Sequence, residues 1–169
     1  SVKDLEGRGL LKEAIGFLEK VIPQCPSDPE LYFRLGDLCF KNCKFDKSDL
    51  YFNRAQHLDP GNDMIRFNLS TLSRMKEDYK SSIKILENIL PRFKGNLKVL
   101  LELATLYYKC KEYQKSLDLL EETLESFPGN SSVSYLMGFI YFELNELEKS
   151  EAFLEKSISQ IIIQKSMNN

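Results

Sequence analysis

The sequence predicts an all-α fold, an α-solenoid of stacked antiparallel helix pairs, on three observations. The first is a 34-residue period: Gly36, Ser70, Ala104 and Gly138 follow one another at that step, as do Ser48, Ser82, Ser116 and Ser150. The second is punctuation in the same step. Pro26, Pro60 and Pro128 keep it, with Lys94 in the missing slot, and Asp28, Asn62, Asn96 and Asn130 follow just beyond. The third is that apolar residues between these marks recur three and four apart, the spacing of a helix with one buried face. A fixed period of this length belongs to an array in which each copy rests on its neighbours, not to a domain with one core.

The first copy is partial. Ala14, Leu18, Val21 and Pro26 match the second helix of a repeat, and only Ser1 to Glu6 remain for its first, so the sequence reads as a piece of a longer protein. A helix over 29–42 follows from Asp28 as its cap, Pro29 in a first turn where the missing N–H costs nothing, and Leu31, Tyr32, Leu35, Leu38 and Cys39 as its buried face. Asn42 to Lys44 makes the turn. The helix over 45–58 buries Phe45, Ser48, Phe52 and Ala55, and Asp59, Pro60 and Gly61 stop it, Gly61 being able to take the left-handed conformation. Asn62 caps a helix over 63–76, and Ser82 and Leu86 mark its partner over 79–92. Asn96 caps 97–110 around Ala104, and Ser116 and Leu120 mark 113–126. Asn130 caps 131–144 around Gly138, and Ser150 and Leu154 mark a long last helix over 147–165. Pro23 and Pro91 fall late in their helices and should end or bend them, since each lacks an N–H and crowds the carbonyl four residues back. The repeats are thus 1–28 (partial), 29–62, 63–96, 97–130 and 131–169, one array without strands.

Composition narrows the function. Hydrophobic residues make up 43% of the chain, which fits a folded protein rather than a disordered one. The net charge is −2 and no block of Lys and Arg stands out, which weighs against nucleic acid as a partner. No apolar run approaches the length that spans a bilayer; Ile161 to Ile163 is the longest sticky stretch. Cys39 and Cys43 stand four apart and would share a helix face, but His57 is the only histidine and no Cys-x-x-Cys occurs, so buried free thiols are a better reading than a metal site. Reduced thiols point to a cytoplasmic setting. His57 beside Asp59 reads as a helix-terminal surface residue rather than a catalytic base. There is no Gly-rich phosphate loop, so neither catalysis nor a cofactor is expected. Pairs such as Glu121–Glu122 read as solvated helix surface.

The pattern resembles the tetratricopeptide repeat. Small residues stand where two helices cross (Gly36, Ala104, Gly138), with an aromatic one turn later (Tyr107, Tyr141). A small residue opens each second helix (Ala14, Ser48, Ser82, Ser116, Ser150), a bulky one follows (Leu18, Phe52, Leu86, Leu120, Leu154), and Pro closes the copy. The chain departs from the family in having no Trp near the start of each copy, where it places Tyr32, Arg66, Leu100 and Ser134, and in serines where alanine is usual. Those hydroxyls are expected to bond back to carbonyls within their own helices. The resemblance implies a right-handed superhelix whose first helices line a concave groove.

In that arrangement the groove is lined by Phe33, Arg34, Asp37 and Phe40, then Phe67, Asn68, Arg74 and Met75, then Leu101, Tyr108 and Lys109, then Tyr135, Phe139 and Phe142. Aromatics beside a few charges are the composition of binding hot spots. Phe33, Phe67, Leu101 and Tyr135 can equally pack side to side between copies as core. The second helices instead carry lysine and glutamate, such as Lys47, Glu87, Lys115 and Lys149. Some members of the family hold the acidic tail of chaperones with a cationic clamp. The matching places here hold Phe33, Asp37, Asn68, Lys98 and Glu102, and the two acids would repel a carboxylate, which weighs against that ligand. The expected function is a protein-interaction scaffold that takes a peptide or helix of another protein in the groove. The alternatives are a regulatory or substrate-recruiting arm of a larger enzyme, and a module that self-associates through exposed terminal repeats.

Overall fold

A computed structural model of the chain describes residues 9–93 and 95–167. Ser1 to Glu6 and Lys94, which figure in the repeat grammar, lie outside the described residues. The described residues fold into nine α-helices and two 3₁₀ turns, without strands. We number the helices α1 (Leu11–Val21), α2 (Pro29–Lys41), α3 (Phe45–Leu58), α4 (Asp63–Met75), α5 (Tyr79–Ile89), α6 (Leu97–Lys109), α7 (Tyr113–Ser126), α8 (Ser131–Glu143) and α9 (Leu147–Met167). The two prolines act as anticipated: α1 and α5 stop at Val21 and Ile89, and Pro23 and Pro91 sit in the 3₁₀ turns Ile22–Gln24 and Leu90–Arg92. The chain divides into two compact units, one up to Ile85 and one from Leu86.

Local chemistry sets the helix ends. Side-chain oxygens of Asp28, Asn62, Asn96 and Asn130 accept the first free N–H groups, for example Glu30 N at 2.9 Å and Ser132 N at 3.0 Å. Within each hairpin the first helix closes on a left-handed residue that is not glycine: Cys43, Glu77, Lys111 and Asn145, at φ of 56° to 61°. The next N–H reaches five residues back, as in Lys44 N to Cys39 O at 2.8 Å and Glu146 N to Tyr141 O at 2.8 Å, the Schellman arrangement. Gly61 does not adopt the left-handed conformation expected of it; the turn after α3 closes with Asn62 N on Asp59 O at 3.3 Å.

In the first unit Ala14, Ile15 and Leu18 of α1 meet Leu35, Leu38 and Cys39 of α2, and Phe52 and Ala55 of α3 meet Ile65, Leu69 and Leu72 of α4. In the second, Ala104 of α6 and Leu117 and Leu120 of α7 meet Val133, Met137, Ile140 and Tyr141 of α8. Within a hairpin the helices touch at the small residues. A Cβ on Gly138 would stand 2.7 Å from Leu154 Cγ. The serines are a correction: Ser48, Ser82 and Ser116 donate across the hairpin to the carbonyls of Gly36, Ser70 and Ala104 at 2.7–2.8 Å, instead of back along their own helices. A small residue brings its backbone close enough for a hydroxyl to reach it.

The joints between repeats use different side chains for one task. Tyr32 OH donates to Pro26 O at 3.2 Å, Arg66 Nη2 to Pro60 O at 2.6 Å and Gln160 Nε2 to Pro128 O at 3.2 Å. Ser134, too short for that reach, keeps its buried hydroxyl unpartnered.

Candidate functional site

In the second unit the candidate residues gather on α6 and α8. The sequence of α8, SSVSYLMGFIYFE, is apolar nearly all round. One side, with Val133, Met137, Ile140 and Tyr141, enters the core. The other presents Tyr135, Phe139 and Phe142, exposed by 53%, 38% and 60% and spaced four and three apart on one stripe. The rings of Tyr135 and Phe139 lie 4.8 Å apart and tilted. Tyr108 of α6 borders the stripe half-buried, its ring 6.0 Å from Tyr113 and its hydroxyl 3.4 Å from Glu143 Oε1. Burial, with the Glu143 carboxylate beside it, pushes the Tyr108 phenol above its ordinary range. Leu101 and Tyr108 both lean on the core under α8, and Lys109 is exposed.

The first unit gathers its candidates less openly. Phe33 tilts on Phe52 at 5.9 Å and Phe40 meets Phe45 edge-on at 5.7 Å, both half-buried. Arg34 is paired with Glu30 at 2.8 Å and Asp37 with Lys41 at 2.7 Å, each along one helix face. Asn68 and Arg74 are half-buried and Met75 is exposed. Phe67 is a correction to the groove lining: only 7% exposed, it belongs to the interior, the packing alternative that the sequence left open for it. The second helices are also less uniformly polar than expected, since Phe17 of α1 and Leu50 of α3 are exposed.

Other sequence readings fare as follows. His57 is exposed in the last turn of α3. Cys39 and Cys43 do not share a helix face, because α2 ends between them; Cys39 is buried, while Cys43 and Cys25 are exposed and Cys110 is partly so. All four are free thiols, and no metal-binding group occurs among the described residues. No described helix is long and apolar enough to cross a membrane. Sequence reasoning noted the length of the last helix and its sticky stretch but gave neither a role. Instead α9 exposes Leu147, Ile158, Ile161, Ile162 and Ile163, and the run of three isoleucines was the available signal.

Helix hairpins with small-residue crossings, repeated in register, define an α-solenoid repeat protein. Comparison with known families agrees: the tetratricopeptide-repeat model matches residues 29–62, and the model described as anaphase-promoting complex, cyclosome, subunit 3 matches 75–157. The chain belongs to the tetratricopeptide-repeat family, whose members are as a class protein-interaction modules. Its fold is similar to MamA from Desulfovibrio magneticus RS-1 (residues 41 to the end; TM-score 0.90, 15% identity, 96% of this chain and 92% of that one). A second MamA crystal structure matches with a TM-score of 0.89 at 16% identity, over 98% and 96% of the two chains. YrrB, described as a TPR protein with an unusual peptide-binding site, matches with a TM-score of 0.82 at 18% identity, over 94% and 82%. No curated protein matches the chain in sequence.

Proposed function

We propose that the chain is a scaffold that holds a peptide or helical segment of another protein against its first helices, the ones that line the concave groove in this family. The observation that carries this is α8. A helix apolar on all sides normally lies wholly in a core, yet Tyr135, Phe139 and Phe142 face outward together. Aromatic anchors supply large contact area for little lost side-chain freedom, and such a patch more often serves contact than chance. Tyr108 and Leu101 give the stripe a firm floor, and Lys109 stands ready for an acidic or polar group of the ligand. In the first unit Phe40, Met75, Arg34 and Arg74 play the lesser counterpart. The peptide-binding site described for YrrB supports a peptide as the ligand class. The reading takes 1–169 as one array working in the cytoplasm, the location to which its thiols point.

The test begins with partner capture on the immobilised chain and mass spectrometry, followed by affinity measurement with two variants matched for stability. Phe139→Ala with Tyr108→Ala should weaken binding at least tenfold, since truncating a central anchor typically costs about 2 kcal/mol or more. Lys47→Ala with Lys115→Ala, on second helices, should leave it unchanged. Binding lost in the lysine pair and kept in the aromatic pair would move the site to the opposite face.

A further inference from the structure

Tyr32 fills the joint at the start of α2. Its buried ring gathers with Ile22, Tyr51, Ala55 and Leu58, and the Arg54 guanidinium carbon lies 5.7 Å from the ring centroid. Its hydroxyl holds Pro26 O. Two periods on, these six positions are Leu90, Leu100, Leu119, Glu122, Thr123 and Ser126. There they line a cavity of about 400 Å³ inside the second unit. The residue changes account for it. Leu100 has no ring, Leu119 stands for Tyr51 and Ser126 for Leu58, so three side chains shrink at once. Leu90, Leu100 and Leu119 are half-buried walls, and Thr123 is buried with its hydroxyl committed to Leu119 O at 2.7 Å. The joints before and after are tied by long polar side chains. Arg66 reaches across one, and in the other Gln160, in the register of Ser126, reaches for the short Ser134.

We propose that this cavity takes an aromatic side chain, carried next to a lysine or arginine on a segment of a partner protein. The shape of the occupant is on display in the first unit, where the same positions surround a tyrosine ring. Charge selects its neighbour. Arg54 stands over the ring of Tyr32, but Glu122 stands in its place at the cavity, exposed, with Asp118 and Glu125 exposed one turn to either side on α7. The sign is inverted, so the cation comes with the ring instead of from the chain. An acidic neighbour would be repelled by Glu122. Half-buried leucine walls with a few polar groups at the edge suit an aromatic anchor, which brings large contact area and one cationic contact. The cavity shares no residue with the aromatic stripe on α8, so each can be filled or disabled alone.

The chain has no tryptophan, so the emission of a tryptophan peptide reports the burial of the peptide alone. The probe is the peptide Gly-Ser-Trp-Arg-Ser-Gly, titrated with the chain into the millimolar range. A saturable blue shift is expected, and the same peptide with Glu in place of Arg should bind at least about fivefold more weakly. Leu100→Tyr rebuilds the arrangement around Tyr32; it should raise the melting temperature and weaken the peptide by about tenfold or more. Glu122→Arg, at an exposed position, keeps the helical circular dichroism of the parent and should reverse the preference between the two peptides. Phe139→Ala with Tyr108→Ala should leave the titration as it was, which separates this site from the stripe on α8. No saturable shift, equal binding of the two peptides, a preference unmoved by Glu122→Arg, a folded Leu100→Tyr protein that binds like the parent, or binding lost in the aromatic pair each overturns the proposal.

Discussion

Gly36→Ala is a sharp test of how tightly the hairpins close. A Cβ at that position would stand 2.5, 2.6 and 2.9 Å from Cδ1, Cε1 and Cγ of Phe52, where carbon atoms in contact settle at about 3.5–4.0 Å. Phe52 has little room to yield: it is 1% exposed and its ring rests on Phe33. Overpacking of this kind costs about 1–3 kcal/mol, and the better helix propensity of alanine returns up to about 1 kcal/mol. The expected net loss is about 1–2 kcal/mol, or roughly 2–8 °C in melting temperature for a chain of this size. The chain contains its own control. In the same register Ala104 stands opposite Leu120, both fully buried, so that crossing accommodates a methyl beside a leucine, whereas a Cβ on Gly138 would meet Leu154 Cγ at 2.7 Å. Phe52→Leu should therefore rescue Gly36→Ala, with a coupling of about 1 kcal/mol or more. Gly16→Ala in α1, where nothing lies within 4 Å of the added carbon, should instead stabilise by about 0.5–1 kcal/mol. Thermal and urea unfolding followed by circular dichroism measures all four variants. A Gly36→Ala protein as stable as the parent, or a double variant no better than the sum of its parts, refutes the packing argument.

Two further outcomes follow from the joint between α1 and α3. Lys47 Nζ at 3.0 Å and the Tyr51 hydroxyl at 2.9 Å both donate to Glu19 Oε1 and hold its carboxyl below the ordinary glutamate value. A depressed carboxylate contributes stability above its unfolded value, about pH 4 to 5, and loses it as the pH falls through the lower folded value. Glu19→Gln should thus melt below the parent at pH 7 and level with it in acid; an equal gap at both ends rules the linkage out. In the same neighbourhood burial pushes the Cys39 thiol up and shields it. A thiol reagent should modify Cys25 and Cys43 in the folded protein and reach Cys39 only on unfolding, with all four titrating in denaturant; fewer than four without reductant contradicts the free-thiol assignment.

The helices were legible because punctuation and periodicity are local signals: the ends of α2 to α8 lie within a few residues of the sequence reading, and Pro23 and Pro91 mark the stops. The cross-hairpin bonds were not, although Gly36 and Ser48, Ser70 and Ser82, and Ala104 and Ser116 keep one spacing. A hydroxyl's partner depends on how near the other helix lies, and that follows from packing. Burial within a register was equally hidden. Phe67 and Tyr135 are equivalent in the repeat, yet one is interior and the other exposed, so position in the repeat alone does not fix burial. The left-handed turns carry Cys, Glu, Lys and Asn, with no residue type in common to announce them.

Those turns have a practical consequence. A left-handed backbone costs a residue with a side chain roughly 1 kcal/mol. Glycine would remove that cost but give back a similar amount by loosening the unfolded chain. The two effects nearly cancel, so the four tips are close to indifferent to what they carry. Cys43, Glu77, Lys111 and Asn145, all exposed and one period apart in the sequence, are therefore handles. A dye, a spin label or a tether fixed at any of them would hang from a hairpin tip and leave the interior as it was.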